Sequence, residues 1–155
     1  MTDADLAEQL GRVERTTLER LLRANIRTAV VEAGGLRQQE RPDYPMVALR
    51  EAIVNAVVHR HYESSNAPTS VRWFDDRVEV LSPGGPFGSV TQENFAERND
   101  YRNPVLAAAL KHLGYVNRFG RGIALIQATL ADNGNPPAEF QIDAAWWSVT
   151  MRGAR

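Results

Sequence analysis

The 155-residue chain has no cysteine, so disulfide frameworks, thiolate nucleophiles and Cys-based zinc sites are excluded. It has no excess of either charge: the formal net charge is -1, and the first 62 residues carry nine acidic and nine basic side chains. No global field therefore draws it to nucleic acid. Lysine is nearly absent, Lys111 being the only one among 18 basic residues. Arginine forks suit phosphate recognition, but the coding bias of a GC-rich genome accounts for them more simply. No apolar run approaches the ~20 residues of a membrane span. The start, Met1-Thr2-Asp3-Ala4-Asp5, is acidic and unlike a secretory signal. No membrane partner and a cytoplasmic location are the expectations. There is no Gly-x-x-x-x-Gly-Lys-Ser/Thr stretch, so neither a P-loop NTPase nor a helicase motor is encoded here. There is no Gly-x-Gly-x-x-Gly stretch, no repeat and no low-complexity tract.

What is present is the balance of a globular fold, 43% hydrophobic and 24% charged. A chain of this length can bury roughly 68–70% of its unfolded surface. Residues 1–15 read as an arm or short helix and 16–155 as a single domain. Thr16-Thr17-Leu18-Glu19 fits a capping box, and Leu18, Leu21, Leu22, Ala29 and Val30 continue near a helical period to Gly34-Gly35. Leu36 to Pro45 reads as a connection or short edge strand.

A second helix is predicted from after Pro45 to about Tyr62, with Met46, Leu49, Ile53, Val54, Val57 and Val58 on a wide apolar face. Thr69–Phe74 and Arg77–Leu81 read as a hairpin around Asp75-Asp76, with Val78 and Val80 on one face. Ser82-Pro83-Gly84-Gly85-Pro86-Phe87-Gly88 reads as loop. Asn103-Pro104 is an N-cap with proline at the first helical position, opening a helix that Gly114 closes. Gly120-Arg121-Gly122 feeds another helix, and Glu139–Asp143 and Trp146–Arg152 are two closing strands. Neighbours on a strand face opposite ways, so one of Trp146 and Trp147 is expected in the core.

The chemistry concentrates on the second helix. Glu51, Asn55 and His59 stand at i, i+4 and i+8, one polar stripe drifting about 40° per step. Such a stripe is ordinarily the solvated side of an amphipathic helix. Asparagine, however, is a mediocre helix former at a place where surfaces favour Lys, Glu or Arg. A carboxylate and an amide oxygen one turn apart suit a magnesium ion and an attacking water beside a polyphosphate. Gly84-Gly85 after a strand and Gly120-x-Gly122 before a helix let backbone approach phosphate where no side chain intervenes. Each alone reads more simply as a turn. Three histidines, with His59 and His61 two apart, do not make a metal site.

In order, these pieces resemble one family. Ala48-Leu49-Arg50-Glu51-Ala52-Ile53-Val54-Asn55-Ala56 with His59-Arg60-x-Tyr62 is similar to the asparagine box of the GHKL (gyrase, chaperone, histidine kinase, MutL) or Bergerat-type ATP-binding superfamily. More narrowly it resembles the RecG-related or Schlafen-associated domain of bacterial transcriptional regulators. Ser82-Pro83-Gly84-Gly85, Arg102-Asn103-Pro104 and Arg118-Phe119-Gly120-Arg121-Gly122-Ile123 follow in that subfamily's order, and the likeness spans roughly Leu21 to Met151.

The resemblance implies an α+β fold, a two-layer sandwich with helices on one face of a mixed, mostly antiparallel sheet. It implies ATP and magnesium as ligands. Glu51 would be the general base or water-positioning acid and Asn55 the magnesium-coordinating amide. His59, Ser82, Gly84, Gly85, Arg118, Gly120, Arg121 and Gly122 would bind nucleotide with Asn55, and Phe87–Tyr101 would be the lid. The implied activity is at most a weak magnesium-dependent ATPase. Three positions depart from the pattern: Ser82 replaces an adenine-binding aspartate, Ala124 a third glycine, and His61 the aspartate of His-Arg-Asp-Tyr. They motivate an alternative, a degenerate fold serving for dimerisation or scaffolding. A homodimer is compatible with either reading, and DNA contact is expected through a neighbouring domain if at all.

Overall fold

The alternating run Arg77-Val78-Glu79-Val80 builds the strand around which the molecule is organised. The computed structural model describes residues 19–32, 38–63, 66–98, 100–115 and 120–154. Within them, helix α1 covers 19–25. It is followed by β1 (Thr28–Glu32), β2 (Gln38–Pro42), α2 (Met46–Val58), β3 (Ser70–Trp73) and β4 (Arg77–Pro83). Then come α3 (Pro104–His112), α4 (Gly122–Asp132), β5 (Glu139–Ile142) and β6 (Trp146–Arg152). The strands form a two-stranded sheet, β1-β2, and a four-stranded sheet in the order β3-β4-β6-β5. Every described pairing is antiparallel. The fold is α+β, with helices against one face of the larger sheet.

Side-chain alternation decides that face. Val78 pairs with Met151 and Val80 with Val149, and all four are fully buried against the helices. On the opposite face Arg77 Nε donates to Glu79 Oε1 at 2.7 Å. From the helical layer, α4 contributes Ile126 and Leu130, and α2 contributes Ala48, Leu49, Ala52, Ile53 and Ala56. The alanines recur every four residues and leave little bulk between α2 and its neighbours. The other side of α2 is covered too, because Val54 and Val58 pack with Ala107 of α3 and with Tyr101, Leu110 and Tyr115. A helix wrapped in apolar contacts on two sides is a central helix, and its polar residues are consequently held among packed neighbours.

Two expectations are corrected. The first helix ends at residue 25, and Ala29 and Val30 belong to β1. The β-branched and apolar run Thr28-Ala29-Val30-Val31 pairs antiparallel with Pro42–Gln39 of β2, so strand pairing overrides a pattern that also fits a helical period. Helix α2 stops at Val58, with His59 as its C-cap. Asn103 is the N-cap of α3 with Pro104 opening the helix, as expected, but its side chain makes no cap hydrogen bond. Its amide Nδ2 instead donates to the carbonyls of Val58 (2.8 Å) and Arg60 (2.7 Å), satisfying orphan acceptors at the end of α2. Thr16 and the 1–15 arm lie outside the described residues. Among the described residues no helix is long and apolar enough to cross a membrane.

Candidate functional site

Because α2 is central, its stripe Glu51–Asn55–His59 cannot face open solvent. It faces a cavity of about 140 Å³ between α2, the Gly84–Pro86 corner, the loop 87–101, the start of α4 and the ends of β5 and β6. Glu51, Asn55, His59, Gly84, Gly85, Gly120 and Gly122 all line it. Apolar side chains from the sheet and loop, among them Val90, Phe95, Phe140, Ile142 and Trp147, line it as well. The cavity thus combines polar groups on the helix side with a greasy, aromatic wall suited to a flat ring.

Two glycines bring backbone to the polar wall. A β-carbon at Gly122 would stand 2.9 Å from Asn55 Nδ2 and 3.4 Å from Glu51 Oε2, so the N-terminus of α4 abuts the carboxylate and amide directly. Gly84 has φ +128°, and a β-carbon there would lie 2.8 Å from the His59 carbonyl oxygen. Its amide donates to Ala145 O at 2.7 Å, and the His61 amide donates to Pro83 O at 2.8 Å. The glycine corner is therefore pinned between the end of α2 and the β5–β6 turn.

Burial tunes the titratable groups. The Glu51 carboxyl is held above the ordinary carboxylate range by desolvation, which the Arg50 charge opposes. His59 is pushed below the usual imidazole range by burial first and then by the charge of Arg102. Its ring stacks on Tyr101 with centroids 5.5 Å apart and 18° between planes. A carboxyl held above its ordinary range and an imidazole held below its own, in one cavity, are groups able to take up or orient a proton. Among the described residues there is no group of three or more His, Cys, Asp or Glu side chains able to hold a metal alone.

Two of the predicted nucleotide-binding residues stand elsewhere. Ser82 is fully buried and does not line the cavity. Its hydroxyl donates to Ala56 O at 2.7 Å and meets the Thr69 hydroxyl at 3.1 Å, tying β4 to α2. Arg121 is the exposed N-cap of α4 and also does not line the cavity. Arg118 lies outside the described residues. Trp147 is the half-buried member of its pair and packs on the core, while Trp146 is 38% exposed. Sequence reasoning missed the aromatic wall, because Phe95, Phe140 and Ile142 meet only through the fold.

Comparison with known proteins agrees with this architecture. Residues 66–151 match the HATPase_c_4 family model, described as "Putative ATP-dependent DNA helicase recG C-terminal". The match covers more than half of the chain, and the protein belongs to that family of ATPase-like domains. The matched region contains both glycine segments but not α2. A crystal structure of the DIP2311 protein from Corynebacterium diphtheriae superposes with a TM-score of 0.79 at 30% identity over 89% of this chain. The chain spans 28% of that protein's length. No curated protein matches.

Proposed function

We propose that this chain is a GHKL-type nucleotide-binding domain, a regulatory module of a bacterial protein of the RecG-related, transcriptional-regulator kind, that binds ATP with magnesium and hydrolyses it slowly or not at all. The observation that carries the reading is the convergence of Glu51, Asn55, Gly84, Gly85, Gly120 and Gly122 on one cavity, together with membership of an ATPase-like family. The donor set fits a magnesium ion, which takes few protein ligands and keeps waters and phosphate oxygens. Asn55 would supply the amide oxygen, and the ion would neutralise phosphate charge.

The roles of this chain's own residues follow from their surroundings. Glu51, buried beside Asn55, orients or accepts a proton from water. The glycine-bearing start of α4 offers backbone amides to phosphate. Phe95, Phe140 and Trp147 contact the base side of the ligand. The helicase activity in the family description does not extend to this reading, since the sequence holds no Gly-x-x-x-x-Gly-Lys-Ser/Thr stretch to serve as a motor motif. A second reading, the degenerate scaffold or dimerisation module, is favoured by Ser82, whose hydroxyl is spent on Ala56 and Thr69. Calorimetric titration with ATP and magnesium separates the two. The wild type binds, and Asn55→Ala binds at least about tenfold more weakly. A wild type with no measurable heat or melting shift favours the scaffold.

A further inference from the structure

The segment Tyr101-Arg102-Asn103 lies just before α3, and its three side chains reach three different parts of the cavity's frame. Tyr101 stacks on His59. Asn103 donates to the carbonyls of Val58 and Arg60. Arg102 turns to the glycine corner: its Nη2 donates to Gly85 O at 3.2 Å and is 3.5 Å from Pro86 O, and its guanidinium lies 4.7 Å from the centroid of the Phe87 ring. Arg102 is not among the cavity's lining residues.

We propose, resting on the nucleotide-site reading, that Arg102 is a positioning residue: its guanidinium clamps the Gly85–Phe87 corner against the end of α2, and nucleotide affinity depends on that clamp without Arg102 touching the nucleotide. The argument is one of geometry. Asn103, the next residue, is fastened to the last carbonyl of α2, that of Val58, and to that of Arg60 just past its C-cap, so the backbone that carries Arg102 is tied to the helix bearing Glu51 and Asn55. Two consecutive loop carbonyls and an adjacent ring are what a planar fork can hold at once, and an ammonium cannot. The buried Nε of Arg102 has no hydrogen-bond partner, an unfavourable feature if the residue served stability alone. A corner fixed before the ligand arrives does not have to be ordered by it, and preorganisation of this kind appears as affinity.

The test uses the whole chain with ATP and magnesium as the probe. Arg102→Gln removes charge and fork; Arg102→Lys keeps the charge and removes the fork. Both variants are expected to bind at least about tenfold more weakly than the wild type. Amide exchange at residues 84–90 should accelerate in both, with the β4 and β6 amides at 78–81 and 148–151 unchanged. The His59 ring, followed by NMR, should titrate higher in Arg102→Gln and as wild type in Arg102→Lys, which separates loss of charge from loss of the fork. Should Arg102→Gln fail to fold, Arg102→Lys carries the test. Wild-type affinity in the lysine variant overturns the clamp, as does accelerated exchange spread over the whole sheet. A wild type that binds no nucleotide overturns the site reading beneath it instead.

Discussion

The two walls of the cavity are held by different forces. On one side α2 is packed between sheet, α4 and α3, with Ala48, Leu49, Ala52 and Ala56 fully buried, and Ser82 bonded to its Ala56 carbonyl. On the other side the loop 87–101 is fixed mainly by polar ties. The Ser89 amide donates to Asp100 Oδ2 at 3.1 Å, the Thr91 amide to Asn94 Oδ1 at 2.7 Å, and Asn94 Nδ2 to Ser89 O at 3.1 Å. The Gln92 side chain also donates to Ile142 O, and Phe95 meets Phe140 at 5.9 Å between centroids. Apolar burial is cooperative and makes the helix part of the global unit. Exposed polar ties are each worth little and let a segment open alone. Glu51 and Asn55, the groups given roles in the proposed function, sit on the wall held by apolar packing.

The largest effect should come from breaking the helix wall. Leu49 is fully buried in the main core, and Leu49→Ala should lower stability by about 2–5 kcal/mol, the range for a cavity-forming truncation. Urea unfolding measures it. A loss under 1 kcal/mol would mean that α2 is not held by its apolar contacts, and the contrast between the walls would fail.

Next in size is the cost of the buried carboxyl. Desolvation raises the folded-state pKa of Glu51 above its unfolded value, so the folded state binds more protons between the two values. Stability from this group is full below the unfolded pKa and is lost as pH rises through the folded one. Glu51→Gln should therefore raise the melting temperature at pH 8 and change it little at pH 4. Equal shifts at both pH values would show that ionisation is not what the helix wall tolerates at a cost. The gain at pH 8 would mark Glu51 as a residue kept despite stability, as functional groups are.

How much of this was readable beforehand divides along the same line. The hairpin, the buried Val78 and Val80, and the stripe on α2 follow from periods of two and 3.6 residues, which sequence displays directly. The glycine segments announce themselves because close backbone approach needs glycine. Illegible were contacts between residues far apart in the chain. Asn103 looks like a helix cap in sequence, yet its amide serves carbonyls 45 and 43 residues earlier. The resemblance puts Ser82 where a base-binding residue would be expected, but its hydroxyl turns to Ala56, 26 residues away. Ala29 and Val30 fit either period, and only the pairing with Arg41 and Glu40 decides for a strand.

The smallest global effect should come from the loop wall, and it is the sharpest test of the comparison. Asp100 Oδ2 accepts from the Ser89 amide and lies against Gly88, where a β-carbon would collide with it. Asp100→Ala removes this tie and no buried apolar surface. The global unfolding free energy should change by about 0.5 kcal/mol or less. Exchange at the Ser89 amide should nonetheless accelerate by about fivefold or more, corresponding to one lost hydrogen bond of about 1 kcal/mol. The amides of α2 should keep their protection, because nothing that holds the helix has been touched. If Asp100→Ala instead destabilised the protein as Leu49→Ala does, loop and helix would form one cooperative unit. The cavity could then open only by global unfolding, and the proposed nucleotide site, which would have to admit and release its ligand, could not work that way.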